Sequence, residues 1–267
     1  SDKFYCALSQ RPSCYPNFAY DDRRAFADAD MVLVPTEYCR RHYARRLGLE
    51  CTRMPYPFSP ARVLAADRVS HYLTFVNPVA EKGVTVFARI ACELGRRRPD
   101  IPLLVVEGRG TSDVLASVAL DLSAVGSLHR MANTPDPRAY YQVARAVLVP
   151  SVWVENGALV AREALANGIP VLASDRGGLP ETLGESGFVF TLPERCTPRS
   201  GYVPTAREVA PWVATIERLW DDPAFEAAHQ ARARAAARQW DPEVLAPAYL
   251  ELFEGLAGPE RTAAGSA

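Results

Sequence analysis

Short apolar runs rich in β-branched residues alternate with amphipathic stretches along most of the chain. Six of these runs read as strands: Met31–Val34, Tyr72–Val76, Leu103–Val106, Ala146–Val149, Pro170–Ala173 and Phe188–Phe190. The stretches Thr36–Leu47, Gly83–Arg97, Arg138–Arg145 and Ala158–Ala166 carry helical periodicity instead. The strand runs are apolar throughout and do not alternate, which suits a parallel sheet covered by helices on both faces. Repeated strand–helix alternation implies right-handed crossovers. The expected fold class is therefore α/β, a Rossmann-like doubly wound parallel sheet.

The pattern changes at both ends. From Thr205 onward strand signals stop, and Ala206–Asp221, Pro223–Gln239 and Pro242–Leu256 read as a helical C-terminal region. The last of these gathers Val244, Leu245, Ala248, Tyr249 and Leu252 on one side. Gly258 to Ala267 reads as a frayed tail. At the other end, Ser1 to Tyr20 lacks periodicity, and Asp21 to Pro55 reads as helix, strand, helix, strand. Pro55, Pro57 and Pro60 then fall close together and mark a candidate boundary. Two βα elements are too few for a domain. The expected division is thus residues 1–57 as the end of another domain plus linker, 58–257 as the main α/β domain, and 258–267 as a tail. No repeat of fixed period and no low-complexity segment is present.

Composition narrows the functional classes. The 267 residues are 48% hydrophobic and 23% charged, enough apolar content for a substantial core. A net charge of −1 gives no global attraction to nucleic acid or anionic lipid, which argues against nucleic-acid binding as the main role. No apolar run approaches the roughly 18 residues that span a bilayer, and the first residues are polar and proline-containing where a leader has an apolar core. The expected location is cytoplasmic, with peripheral contact at the inner face of a membrane also compatible. Cys6, Cys14, Cys39, Cys51, Cys92 and Cys196 are scattered and form no CxxC pair, so reduced thiols are expected and a metal or redox role is not. Spacing would allow Cys6 and Cys14 to pair across a short loop but does not decide it. Basic residues are almost all arginine; the only lysines are Lys3 and Lys82.

Chemistry-bearing residues gather at strand–loop–helix joints. In Pro150-Ser-Val-Trp-Val-Glu155-Asn156-Gly157-Ala158-Leu159 a strand ends, a loop carries Glu155, and a helix begins near Ala158. Gly157 permits close backbone approach, and the amides of Ala158 and Leu159 at the helix start suit an anion such as a pyrophosphate. Asn167-Gly168 then stops the helix. Glu163 lies inside the apolar run Ala161–Ala166, where a carboxylate without a partner is costly. A ribose diol would suit it as partner. So would an arginine, or the side chain could face solvent, and Glu155 could be a helix N-cap.

Four further joints add to this. Phe75-Val-Asn77-Pro78-Val-Ala-Glu81-Lys82-Gly83 runs from strand to helix, and a lysine there can meet a phosphate as a point charge. Glu107-Gly108-Arg109-Gly110-Thr111-Ser112 follows the strand Leu103–Val106, but Asp113 stands where a dinucleotide fingerprint needs a third glycine. After a strand Leu128–Arg130 comes the loop Met131-Ala-Asn133-Thr-Pro135-Asp136. Ser174-Asp175-Arg176-Gly177-Gly178-Leu179-Pro180-Glu181 is another such joint, with Glu181 read as a helix N-terminal charge.

Taken in order, these segments resemble the retaining glycosyltransferases of family 4, which have the two-domain GT-B fold. The resemblance rests on the Glu155–Glu163 pair with seven residues between, the following Gly168-Ile-Pro-Val strand, Glu81-Lys82-Gly83, the glycine loop around Arg109, and Gly177-Gly178-Leu-Pro180-Glu181. It extends from about Asp21 to Leu256: Asp30-Met-Val-Leu-Val-Pro35-Thr36-Glu37 resembles the end of the family's N-terminal domain, and Trp240-Asp-Pro with the last helix resembles its C-terminal closure. It implies that Glu163 holds the nucleotide ribose, that Glu155 lies near the donor sugar and its phosphates, and that Lys82 binds phosphate. Gly83, Gly157, Ala158 and Leu159 would complete the donor site, with Arg130 and Met131 as neighbours of its base. Two departures stand out. Glu155-Asn156-Gly157-Ala158 replaces the frequent Glu-Gly-Phe-Gly, and Asn77 stands where many members carry an arginine, a charge that Arg109 could replace.

The resemblance implies a hexosyltransferase that moves a sugar from a nucleotide-diphosphate donor, a substrate and not a cofactor, with retention and without a tightly bound metal. The acceptor (a glycan, lipid or small molecule) would be met by an N-terminal domain that the chain mostly lacks. Donor binding, more than catalysis in isolation, is the expectation for this chain. The competing readings are a GT-B sugar phosphorylase or epimerase, a catalytically idle domain that kept the fold for partner binding, and, weakest, an NAD-dependent oxidoreductase.

Overall fold

A computed structural model describes residues 26–123 and 125–261. Cys6, Cys14, Lys3, most of the expected first helix and the last residues of the tail lie outside them. A two-stranded parallel sheet joins β1 (Leu33–Val34) and β2 (Thr52–Arg53) around helix α1 (Glu37–Leu47). Thr36 caps α1 by accepting from the Cys39 amide, and Gly48 ends it in the left-handed region at φ 58°. Val34, Cys39 and Tyr43 form a small core of their own.

After the one-turn helix α2 (Pro60–Val63) the main domain begins with β3 (Tyr72–Val76), α3 (Val84–Arg97) and β4 (Leu103–Val106). It continues with β5 (Leu128–Met131), α4 (Arg138–Val143), β6 (Ala144–Val149), α5 (Leu159–Ala166) and β7 (Val171–Ser174). Helix α6 (Leu179–Leu183) and strand β8 (Phe188–Phe190) complete the alternation, and α7 (Ala206–Asp221), α8 (Pro223–Ala237) and α9 (Pro242–Arg261) follow. The six main strands are all parallel, in the order β5-β4-β3-β6-β7-β8.

The apolar strands are explained by their two covered faces. Successive residues point to opposite sides: Leu73, Phe75, Leu103, Val105, Leu148 and Leu172 pack under α3 and α7. Leu104, Val106, Val147, Val149, Val171 and Ala173 pack under α5 and α8. Burial on both faces removes the alternation that a one-sided sheet would show. The two edge strands are the exceptions: β8 is half-buried at Phe188 and Phe190 and exposed at Val189, and β5 is half-buried at Leu128 and Met131 and exposed at His129 and Arg130. Charged residues there suit an edge that must not recruit another strand.

Differences from the expected boundaries are small and have physical causes. Ala144 and Arg145 belong to β6 and not to the preceding helix, because α4 passes into the strand without a loop and the Arg145 guanidinium is held by Glu226 at 2.6 Å. The backbone of α9 stays helical to Arg261, past the glycine expected to start the tail. Cys39, Cys92 and Cys196 are buried free thiols and Cys51 is a half-buried one. No helix among the described residues is long and apolar enough to cross a membrane.

Candidate functional site

Sheet order locates the site. The chain runs outward to one side through β3, β4 and β5, then returns to β6 beside β3 and runs outward to the other. Loops leaving the C-terminal ends of β3 and β6 therefore diverge and leave a crevice, the usual ligand position in open α/β sheets. A cavity of about 170 Å³ occupies it, lined by Phe75 and Val76 of β3, Leu148 and Val149 of β6, and the loop residues beyond both.

Five of the residues singled out from the sequence reach this cavity: Asn77, Lys82, Arg109, Ala158 and Leu159. Lys82 ends a short 3₁₀ turn, Ala80–Lys82, between β3 and α3. Gly83 follows at φ 80°, and a side chain there would collide with the Pro150 carbonyl, at 1.9 Å from a Cβ. Only glycine fits, because this turn packs directly on the end of β6. The contact also lets the Glu81 carbonyl accept from the Val152 and Trp153 amides, at 3.1 and 3.2 Å. Two loops distant in sequence are thus joined by backbone.

Glu155 does not line the cavity but bonds two residues that do, Lys82 and Ser151. Its side chain is wholly buried, and Oε1 accepts from Lys82 Nζ at 2.6 Å and from Ser151 Oγ at 2.5 Å. The Glu155 backbone pairs with Gly177, whose φ of 65° and close approach (a Cβ would stand 2.3 Å from the Glu155 carbonyl) exclude any side chain. The Gly178 amide donates to the same carbonyl at 2.6 Å. The Gly-Gly segment after β7 thus holds Glu155 in place, and Glu155 holds Lys82. Ala158, whose side chain caps nothing, precedes α5. The cap reading of Glu155 is therefore overturned: its carboxylate faces Lys82.

Glu163 sits one turn into α5, outside the cavity lining but next to it. Its Oε2 accepts from the Tyr141 hydroxyl at 2.9 Å, and the same hydroxyl lies 3.3 Å from the carbonyl of Val160, a cavity residue. Burial raises the Glu163 carboxyl above its ordinary value, partly offset by the Tyr141 hydrogen bond and the Arg162 charge. Tyr141 is wholly buried on α4. Nothing in the sequence signals its role, since it precedes Glu163 by 22 residues and meets it only across the α4–α5 contact.

The other expected residues stand apart. Gly157 faces Pro35 and Thr36 of the β1–α1 joint, at 3.4 Å from a Cβ to Thr36 Cγ2, rather than the cavity. Arg130 is exposed on the edge strand and pairs with Asp113 at 3.5 Å. Met131 is its half-buried neighbour on β5. Neither lines the cavity. Glu181 accepts from the Glu37 and Tyr38 amides at 2.8 and 3.0 Å, so it charges the N-terminus of α1 and ties the main domain to the β1–α1–β2 unit. Among the described residues no three His, Cys, Asp or Glu side chains gather as a metal site.

Fold and site together define a doubly wound α/β domain with a cationic crevice at its switch point. Residues 68–240, more than half of the chain, match the family model described as "Glycosyl transferases group 1". The chain belongs to that family. It is similar to a D-inositol 3-phosphate glycosyltransferase of Corynebacterium diphtheriae, 34% identical over 60% of this chain and 37% of that protein. It is also similar to a GDP-mannose-dependent alpha-(1-6)-phosphatidylinositol monomannoside mannosyltransferase of Mycolicibacterium smegmatis, 29% identical over 62% of this chain and 50% of that one. Among solved structures, Anabaena Alr3699/HepE in complex with UDP and glucose superposes with a TM-score of 0.65, at 17% identity, over 84% of this chain and 62% of that one. That last likeness is one of fold, the GT-B architecture. The chain spans about a third to a half of the length of these curated relatives.

Proposed function

We propose that the chain is the donor-binding part of a retaining glycosyltransferase of family 4, which transfers a hexose from a nucleotide-diphosphate sugar. The observation that carries this reading is the convergence of Lys82 and the start of α5 on one cavity at the β3–β6 switch point. Leu159 and Val160 belong to the first turn of α5, whose amides precede any intrahelical acceptor. Together with the Lys82 ammonium they suit the diphosphate of a donor. When the bond between the anomeric carbon and the diphosphate breaks, negative charge builds on the phosphate oxygens. Fixed donors aimed there stabilise the transition state more than the ground state.

Glu155 acts in this scheme through Lys82, which it orients. Glu163, beside Val160 at the cavity margin, is assigned to the ribose hydroxyls. The acceptor is met by chain outside this one, and no cofactor takes part. The relatives named for glycosyl and mannosyl transfer support the reaction class, and the neighbour holding UDP and glucose supports the ligand class.

Calorimetric titration of the full 267-residue chain with UDP-, GDP-, ADP- and dTDP-sugars tests the proposal. At least one should bind, and Glu163→Ala should weaken that ligand at least tenfold. Binding by none, or undiminished binding by the variant, overturns respectively the donor assignment or the role of Glu163.

A further inference from the structure

The loop Glu107–Ser112 carries two glycines around one arginine, and the structure gives both glycines a reason. A Cβ on Gly108 would stand 1.9 Å from Asn77 Oδ1, and one on Gly110 would stand 2.6 Å from the Pro78 carbonyl and from Val79 Cγ1. The loop after β4 is therefore packed against the loop after β3 on either side of Arg109. Asn77 Oδ1 also accepts from the Arg109 amide at 2.9 Å. Asn77 itself has φ 62°, a left-handed conformation that asparagine tolerates better than most residues. Its amide donates to the Val106 carbonyl at 2.9 Å, which anchors it to the end of the sheet. At the base of the loop, Glu107 Oε1 accepts from the Ser112 amide at 2.8 Å and the Ser112 hydroxyl at 2.6 Å.

These contacts make Asn77 a mount. Arg109 is clamped between two close-packed glycines with its amide held, and it lines the same cavity as Lys82. We infer that Arg109 is a second cation for the donor diphosphate and that Asn77 is the residue that positions it. This rests on the donor-binding reading above and adds to it. A guanidinium offers paired N–H donors to phosphate oxygens, which a lone ammonium does not. Its worth depends on the loop being held before the ligand arrives, because ordering a loaded arginine on a free loop would cost entropy. The glycines that fail as a dinucleotide fingerprint are accounted for by this packing.

The test uses the full chain and, of UDP, GDP, ADP and dTDP, whichever binds most tightly, together with its monophosphate and nucleoside. Arg109→Ala should weaken the diphosphate tenfold or more while leaving the nucleoside within twofold. Asn77→Gly keeps the left-handed backbone accessible but removes the side-chain acceptor, and should weaken the diphosphate three- to tenfold. The Arg109→Ala/Asn77→Gly double variant should bind no more weakly than Arg109→Ala alone, since Asn77 acts through Arg109. Additive losses, or equal losses for nucleoside and diphosphate, would show Asn77 to be merely structural and overturn the inference. Undiminished diphosphate binding by Arg109→Ala overturns it as well, with the donor reading intact. If the wild-type chain binds none of the four diphosphates, the donor reading falls and takes this inference with it. Thermal unfolding of each variant confirms that a folded protein is compared.

Discussion

The Lys82 ammonium lies 2.6 Å from Glu155 Oε1, and the carboxylate it meets is wholly buried. The two residues are 73 positions apart and come from loops on opposite sides of the switch point. A buried carboxylate is tolerable only when paired and hydrogen-bonded, and Lys82 with Ser151 meets that need. Conversely, the flexible lysine is held at the cavity wall by a fixed acid. The pair therefore joins stability to site geometry.

Removing one member should expose that coupling. Lys82→Met leaves the Glu155 carboxylate buried without its ammonium and should cost on the order of 3 kcal/mol in urea unfolding. Combining it with Glu155→Gln should recover part of the loss, because an amide is cheaper to bury than an unpaired charge. Ser151→Ala should cost less, about 1 kcal/mol, the usual worth of one hydrogen bond. Unaltered stability in Lys82→Met would contradict the pairing.

Glu163 predicts a pH dependence with a definite sign. Its folded-state carboxyl is raised by burial, so the folded protein holds this proton more tightly than the unfolded chain. Stability contributed by the protonated form is complete below the unfolded value and is lost as pH rises through the raised folded value. Glu163→Gln removes that loss. The variant's melting temperature should therefore exceed the wild type's near neutrality, and the difference should shrink as pH falls below the ordinary glutamate range. Tyr141→Phe deletes a hydrogen bond that lowers this carboxyl, so its difference from wild type should extend to higher pH.

Gly177→Ala tests the Gly-Gly clamp. The substitution forces a Cβ into the left-handed region and against the Glu155 backbone. Strain of this kind costs about 1–3 kcal/mol, and the shift of Glu155 should displace Lys82. Both the unfolding midpoint and diphosphate affinity should fall. Loss of stability with affinity untouched would separate the clamp from the site.

Glu181→Ala should loosen the β1–α1–β2 unit from the main domain. The carboxylate satisfies two amides at the start of α1 and meets Arg53 at 3.2 Å. Loss of such a helix-end partner costs about 0.5–2 kcal/mol. Amide hydrogen exchange should speed up in residues 37–47 and stay unchanged in β3 and β6; uniform acceleration would contradict the local role.

The sequence by itself determined the architecture. Runs such as Leu103–Val106 are apolar at every position because both sheet faces are covered, and that requirement is written locally, residue by residue. The strand–loop–helix joints were also legible, since glycine, proline and the loss of apolar periodicity mark them where they occur. So Lys82, Asn77, Arg109, Ala158 and Leu159, which share one cavity, are all recognisable as site candidates from the sequence.

What only the tertiary structure decided is which of these loops meet, and on which side of a loop a residue faces. Gly157 and Glu155 lie in the same loop, yet one packs on Pro35 and Thr36 and the other meets Lys82. Arg130 and Met131 belong to an edge strand two places from the switch point, which no local pattern reveals. Tyr141 and Ser151 escaped the sequence because their partners lie on other elements, or across a loop whose path sequence does not specify. Periodicity reports what a residue needs from its surroundings. The partner that meets the need is chosen by sheet order and loop packing, which depend on the whole chain at once.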